Sequence, residues 1–147
     1  MDVLNPENLD FSFSDKRRLR AAAEFSQVFA ARRVLRGDFF NLHYLAVRPA
    51  ALPADIGARM GLVVAKKLAR RAVQRNLLKR LAREAFRHAH AGLPPYDLVL
   101  RLSGPVTGSP KAEARHAWRA DIDRLLERLA SLAQHQSRQV GRVGIDT

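Results

Sequence analysis

Hydrophobic positions along the chain switch repeatedly between helical and extended spacing. Between Ala21 and Ala31, Phe25, Val28 and Phe29 stand at i, i+3 and i+4, which predicts a short helix carrying two aromatics on one face. A short strand is expected around Arg33–Arg36. The aromatic-rich run Phe39–Val47 predicts a second strand, closed by Pro49 and a Pro/Ala/Gly loop through Gly57. Arg59–Lys66 predicts a third strand built on Leu62, Val63 and Val64, with the Lys66-Lys67 pair where the chain leaves the sheet. From Ala72 to His90 no Gly or Pro intervenes. At about 100° per residue, Leu77, Leu78, Leu81, Ala82 and Ala85 gather on one side of this helix, and Arg75, Asn76, Lys79, Arg80, Arg83 and Arg87 on the other. Gly92, Pro94 and Pro95 stop it. Tyr96–Leu102 predicts a strand bounded by the Ser103–Pro110 turn region, and Lys111 to Gln134 a final helix with Trp118, Ile122, Leu125, Leu126, Leu129 and Leu132 at helical spacing.

The pattern divides the chain into an N-terminal arm over residues 1–15, one folded domain over 16–134, and a tail over 135–147. The arm has no helical or strand period and the tail is expected to fray, so both are predicted to be flexible. Of the 147 residues, 47% are apolar, but 23 are alanine, enough for one core and too few for two. The longest apolar stretches, such as Gly61–Ala65, fall far short of the roughly 18 residues of a membrane span. The first fifteen residues hold Asp2, Glu7, Asp10 and Asp15 and no basic residue, the reverse of a signal peptide's charged start. A cytoplasmic protein without membrane contact is the expectation.

Charge changes the picture from a generic small domain to a polyanion binder. The chain carries 26 Lys+Arg against 14 Asp+Glu, a formal net charge of +12. Ten Lys/Arg and a single acid, Glu84, lie between Arg59 and Arg87. An ordinary solvated helix face interleaves acids at i, i+4, whereas this arc sets Arg75 against Lys79 and Arg80 against Arg83 and Arg87 without relief. Such a row suits phosphates, whose neutralisation releases counterions, and Asn76 adds a hydrogen-bonding group for a sugar or base. Phe25 and Phe29 have two readings, core anchors or a platform on which unpaired bases stack beside His43 or Tyr44.

Catalytic chemistry by side chains is not indicated. Without cysteine there are no disulfides, thiolate metal sites or Cys nucleophiles. His43, His88, His90, His116 and His135 form no metal-binding spacing and are read mostly as surface residues. Asp121 and Asp123 fall on different faces of the last helix and are read as balancing Arg124 and Arg128. No catalytic and no metal-ligating residue is assigned.

Lys66-Lys67 followed by Ala72-Val73-Gln74-Arg75-Asn76-Leu77-Leu78-Lys79-Arg80-Leu81-Ala82-Arg83-Glu84-Ala85-Phe86-Arg87 resembles the signature of the bacterial ribonuclease P protein component. An Arg-Leu-Arg start at Arg18–Arg20, Glu-Phe-x-x-Val-Phe at Glu24–Phe29 and Tyr-Asp-Leu-Val-Leu at Tyr96–Leu100 follow the family's order, so the resemblance covers about residues 16–130. It implies an α+β fold with a four-stranded sheet packed with helices, similar to a ribosomal-protein domain, with a left-handed β-α-β crossover carrying the basic helix. It also implies a protein subunit of ribonuclease P, which promotes tRNA 5′-end maturation. In that family a catalytic RNA cleaves the 5′ leader from precursor tRNA with Mg²⁺ held mainly by RNA.

The implied RNA-binding residues are Arg18, Lys66, Lys67, Arg70, Arg71, Arg75, Asn76, Lys79, Arg80, Arg83 and Arg87, and the implied leader cleft maps onto Phe25, Phe29 and His43. The expected partners are the ribonuclease P RNA and precursor tRNA, with a monomeric protein in a 1:1 ribonucleoprotein. The family's basic Arg-Asn-Arg motif here reads Arg75-Asn76-Leu77, and the helical wheel puts Leu77 on the apolar side, where the helix is expected to bury it. The competing readings are a structural RNA-binding protein of ribosomal type and, behind it, a protein-only nuclease, for which the basic segment offers only Glu84.

Overall fold

The structure, a computed structural model, describes residues 17–46, 56–106 and 111–146, with side chains described as far as His135. The arm at 1–15 and most of the loop expected through Gly57 lie outside the described residues. Elements follow the order α1 (Ala22–Ala30), β1 (Val34–Arg36), β2 (Phe40–Leu45), β3 (Arg59–Val63), α2 (Ala72–Ala89), a 3₁₀ turn at His90–Gly92, β4 (Asp97–Leu102) and α3 (Ala112–Asp146). The sheet order is β1-β2-β4-β3, with β1-β2 and β2-β4 antiparallel and β3-β4 parallel. A parallel neighbour cannot be reached by a tight turn, and α2 supplies the connection between β3 and β4.

Strand alternation sorts side chains onto two faces. Phe40, Leu42 and Tyr44 of β2, Leu98, Leu100 and Leu102 of β4 and Met60 of β3 point one way, into the main core with Leu78, Ala82, Ala85 and Phe86 of α2 and Trp118, Ile122, Leu125, Leu126 and Leu129 of α3. The other face carries a smaller cluster of Leu19, Val28 and Val99, against which Phe25, Phe29, Leu45 and Val63 pack. Helix α1 lies over this second face.

The buried side of α2 is rotated from the sequence reading. Gln74, Leu78, Ala82, Ala85 and Phe86 are buried, while Leu77 and Leu81 sit half-buried at the margin of the core. Leu77 is thus packed against the core without being enclosed by it. Gln74 is absent from the apolar arc because it is polar, yet its Oε1 accepts the Arg71 N–H at 3.2 Å and closes the helix start. Helix α3 continues to Asp146, past the end expected at Gln134. The apolar period stops at Leu132, but no proline follows to stop the backbone.

Two acids have roles that spacing did not reveal. Asp121, 2% exposed, accepts the backbone N–H groups of Asp38, Phe39 and Phe40 at 2.9, 2.9 and 3.0 Å, tying α3 to the β1–β2 turn. The turn residue Gly37 approaches Asp121 so closely that a Cβ there would overlap the carboxylate. The expectation that Asp121 and Asp123 balance Arg124 and Arg128 holds for Asp121 with Arg124 and is corrected for Asp123 and Arg128. Asp123 pairs with Arg119 at 3.1 Å, Arg124 reaches Asp38 at 3.1 Å and lies 3.6 Å from Asp121, and Arg128 donates to the Arg36 carbonyl at 3.0 Å.

Candidate RNA interface

Register places the residues of the second sheet face in three cross-strand rows. Leu45, Asp97 and Arg59 form one; Val34, His43, Val99 and Gly61 the next; and Arg36, Asn41, Arg101 and Val63 the third. Helix α1 covers the first two. Glu24 reaches Arg59, the Phe25 ring rests directly on Gly61 where any Cβ would collide with it, and Phe29 meets His43 edge-to-face with ring centroids 4.8 Å apart. Arg36 and Arg101 in the third row are exposed and Asn41 is half-buried.

Arg59 anchors the arrangement from inside. Its Nε and Nη2 donate to the two Asp97 carboxylate oxygens at 2.9 and 2.7 Å, and its Nη1 donates to Glu24 Oε2 at 2.8 Å. The other Glu24 oxygen accepts the backbone N–H groups of Arg20 and Ala21, each at 3.0 Å, at the start of α1. Those backbone bonds, Arg20 first, and the Arg59 charge hold the Glu24 carboxyl below its usual range; hydrogen bonding to Asp97 raises Arg59 above its own. Sequence counting had placed Arg59 at the start of the basic segment. It is 7% exposed and neutralised within the protein, so it contributes nothing to the outer field.

The remaining cations lie as a band around the start and outer face of α2. Lys66, Lys67, Arg70, Arg71, Asn76, Arg80 and Arg87 are exposed, and Arg75, Lys79 and Arg83 are half-buried. Arg75 is partly committed to structure: one guanidinium nitrogen donates to the carbonyls of Ala69 and Arg70, both at 2.9 Å, fixing the loop before the helix. Glu84, the segment's single acid, turns towards Arg119 of α3 at 3.5 Å. Lys79 and Arg83 line a pocket of about 180 Å³ together with Arg18, Leu19, Phe25, Met60, Gly61 and Leu62. Arg18 is brought there by a bridge to Met60, and the Leu19 N–H donates to the Met60 carbonyl at 3.2 Å, extending the exposed edge of β3. The basic helix and the aromatic face of α1 are therefore two walls of one pocket, a juxtaposition invisible in sequence because Phe25 and Lys79 are far apart along the chain.

Phe25, Phe29 and His43 are all half-buried. His43 Nε2 is enclosed without a hydrogen-bond partner among the described residues. Burial first, then the charges of Arg101 and Arg36, hold its imidazole below its ordinary pKa. His90 is likewise lowered, by burial and then Arg17, against opposing hydrogen bonds to the Ala58 and Ile56 carbonyls. The reading of the histidines as mostly surface residues holds for His88, His116 and His135 but not for these two. Because their folded-state values lie below the ordinary 6.5, the unfolded chain takes up protons first as pH falls. Stability is expected to be full above about pH 6.5 and to decline below it. Urea midpoints at neutral and mildly acid pH check this, and replacing both histidines by Gln should flatten the decline.

Among the described residues, no three His, Asp or Glu side chains converge into a metal site, and no helix is long and apolar enough to cross a membrane. The family model for ribonuclease P matches residues 13–130. The chain belongs to the ribonuclease P protein family. Ribonuclease P protein components from Azoarcus sp. (strain BH72) and Aromatoleum aromaticum are 49% and 50% identical to it over 127 and 105 residues. Those matches cover 86% and 71% of this chain and 98% and 82% of the relatives.

Among solved structures, the ribonuclease P protein of Thermotoga maritima superposes with a TM-score of 0.54 at 25% identity, covering 76% of this chain and 96% of that one. The Staphylococcus aureus protein gives 0.55 at 22% identity, covering 80% and 94%, and shares the fold. A ribonuclease P protein is part of an endoribonuclease, binds the ribonuclease P RNA and serves tRNA 5′ maturation. Family membership sets aside the ribosomal-type alternative.

Proposed function

We propose that this ribonuclease P protein works as a monomer in a 1:1 cytoplasmic ribonucleoprotein in which the RNA subunit carries the cleavage chemistry. The RNA would dock on the cationic band of Lys66, Lys67, Arg70, Arg71, Arg75, Asn76, Lys79, Arg80, Arg83 and Arg87 with Arg18, while the single-stranded leader of precursor tRNA enters the cleft beside Phe25, Phe29 and His43. The observation that carries this reading is the shared pocket: Lys79 and Arg83 face Phe25 across Gly61, so phosphate neutralisation and base stacking meet in one groove. The protein's contribution is positioning and electrostatics. Its cations lower repulsion among the two RNAs and their Mg²⁺ ions, which RNA phosphates hold.

The carboxylates near the cleft support the same division of labour. Glu24 and Asp97 are engaged with Arg59, and Asp121 is spent on three backbone N–H groups on the opposite side of the sheet. Among the described residues, neither Glu24 nor Asp97 is left to bind a metal or activate water at the leader.

Binding of the ribonuclease P RNA across a salt series tests the docking face. Lys79→Ala should weaken binding and reduce the slope of log K against log salt by about 0.7–0.9, one phosphate's worth, without altering the melting temperature. Arg75→Ala should weaken binding similarly and also lower stability by about 1–2 kcal/mol, since it releases the loop carbonyls. Unchanged affinity and slope in Lys79→Ala would make the band an ordinary solvated surface.

A further inference from the structure

The third cross-strand row contains two arginines that no described residue neutralises. Arg36 of β1 and Arg101 of β4 stand directly on either side of Asn41 of β2, and all three point to the face covered further along by α1. Both arginines are exposed, and neither guanidinium has a hydrogen bond or ion pair among the described residues. The acids on this side of the sheet, Glu24 and Asp97, are already held by Arg59. Two strand spacings separate Arg36 from Arg101, about 10 Å, which long side chains close easily over the shorter Asn41. Three donor groups are thereby within reach of one anion: two planar guanidinium groups and one carboxamide. The row lies one same-face step, about 7 Å, beyond the Phe29–His43 contact.

We infer that Arg36, Asn41 and Arg101 form a clamp for one backbone phosphodiester of single-stranded RNA, the linkage next to the nucleotide seated on Phe29. This inference rests on the proposal that the cleft holds the leader. The clamp fixes the far end of the leader's track: the pocket at Phe25, Lys79 and Arg83 is at one end, Phe29 in the middle and the two arginines at the other. Because a contact to a backbone phosphate carries no base information, the clamp sets path and register without demanding a sequence. Antiparallel strands make the spacing rigid, so the charge is preorganised where a flexible loop would have to be ordered on binding.

The test uses holoenzyme reconstituted from the full chain and its RNA, and precursor tRNAs in which a single uncharged methylphosphonate linkage is moved along the leader. With the native protein, one position should weaken binding about tenfold. With the double variant Arg36→Gln/Arg101→Gln, the unmodified precursor should bind about tenfold more weakly and that position should cease to matter, while leader-free tRNA and the RNA subunit alone bind as before. Arg36→Lys/Arg101→Lys, which keeps the charges, should recover part of the loss and serves as the folding control. The clamp is wrong if native protein prefers leader-bearing tRNA but the methylphosphonate profile is the same in the Gln variant. It is wrong also if the loss appears with the RNA subunit alone, which would assign the phosphate to that RNA. If native protein shows no preference for the leader at all, the cleft reading itself fails and the clamp with it.

Discussion

Asp97→Ala should remove about 3–5 kcal/mol of folding stability, the largest loss expected from any single change near the cleft. Asp97 is 2% exposed and holds the Arg59 guanidinium through two short parallel bonds. Truncating it leaves a buried cation with Glu24 as its one counter-charge among the described residues, and breaking a buried pair from one side costs far more than the intact pair contributes. The loss reaches the cleft as well. Arg59 is the link from the sheet to Glu24, and Glu24 holds the start of α1. Urea unfolding should therefore show the drop in stability, and Asp97→Asn, which keeps the shape and part of the hydrogen bonding, should lose less. A loss under about 1 kcal/mol for Asp97→Ala would mean that the network does not hold α1 in place.

Phe29→Ala should weaken binding of leader-bearing precursor tRNA by about 1–3 kcal/mol, roughly five- to 150-fold, while leader-free tRNA binds as before. Phe29 is half-buried and its ring meets His43 on the sheet side, next to the open row of Arg36 and Arg101. A base stacked there would lose its platform. A purely structural Phe would behave differently, costing about 3–5 kcal/mol of stability and reducing affinity for precursor and product alike. Melting curves and paired binding measurements on the same variant separate the two. Val28, buried on the same helix, provides the comparison residue whose truncation should move stability alone.

What could be read from the sequence follows from the range of the interactions involved. Helix α2 was legible because a period of 3.6 residues is a local signal, and the β-strands because Phe40–Leu45 and Asp97–Leu102 are short apolar runs with clear stops. Phe25 and Phe29 were found on one face, but spacing left open what that face covers. Arg59 was counted as an outer cation because its neutralising partner lies 38 residues away, and Asp121 was paired with its helix neighbours because the three N–H groups it serves lie 81–83 residues away. Charge composition reports the number of cations and not their depth. Arg36, Asn41 and Arg101 carry no local signal whatever; only the strand register brings them into one row. The family signature located the basic helix, while the structure shows Arg75 shared between its loop and the outer face and Leu77 on the boundary of the core.

Whether the RNA subunit carries the chemistry is tested by cleavage of precursor tRNA by the purified protein, with and without the ribonuclease P RNA and with Mg²⁺ present throughout. The expected result is no cleavage by protein alone, activity when the RNA is added, and activity retained in the holoenzyme when Glu84 is replaced by Gln. Cleavage by RNA-free protein that disappears on substitution of one of its carboxylates would contradict it and return the chemistry to the protein's own side chains.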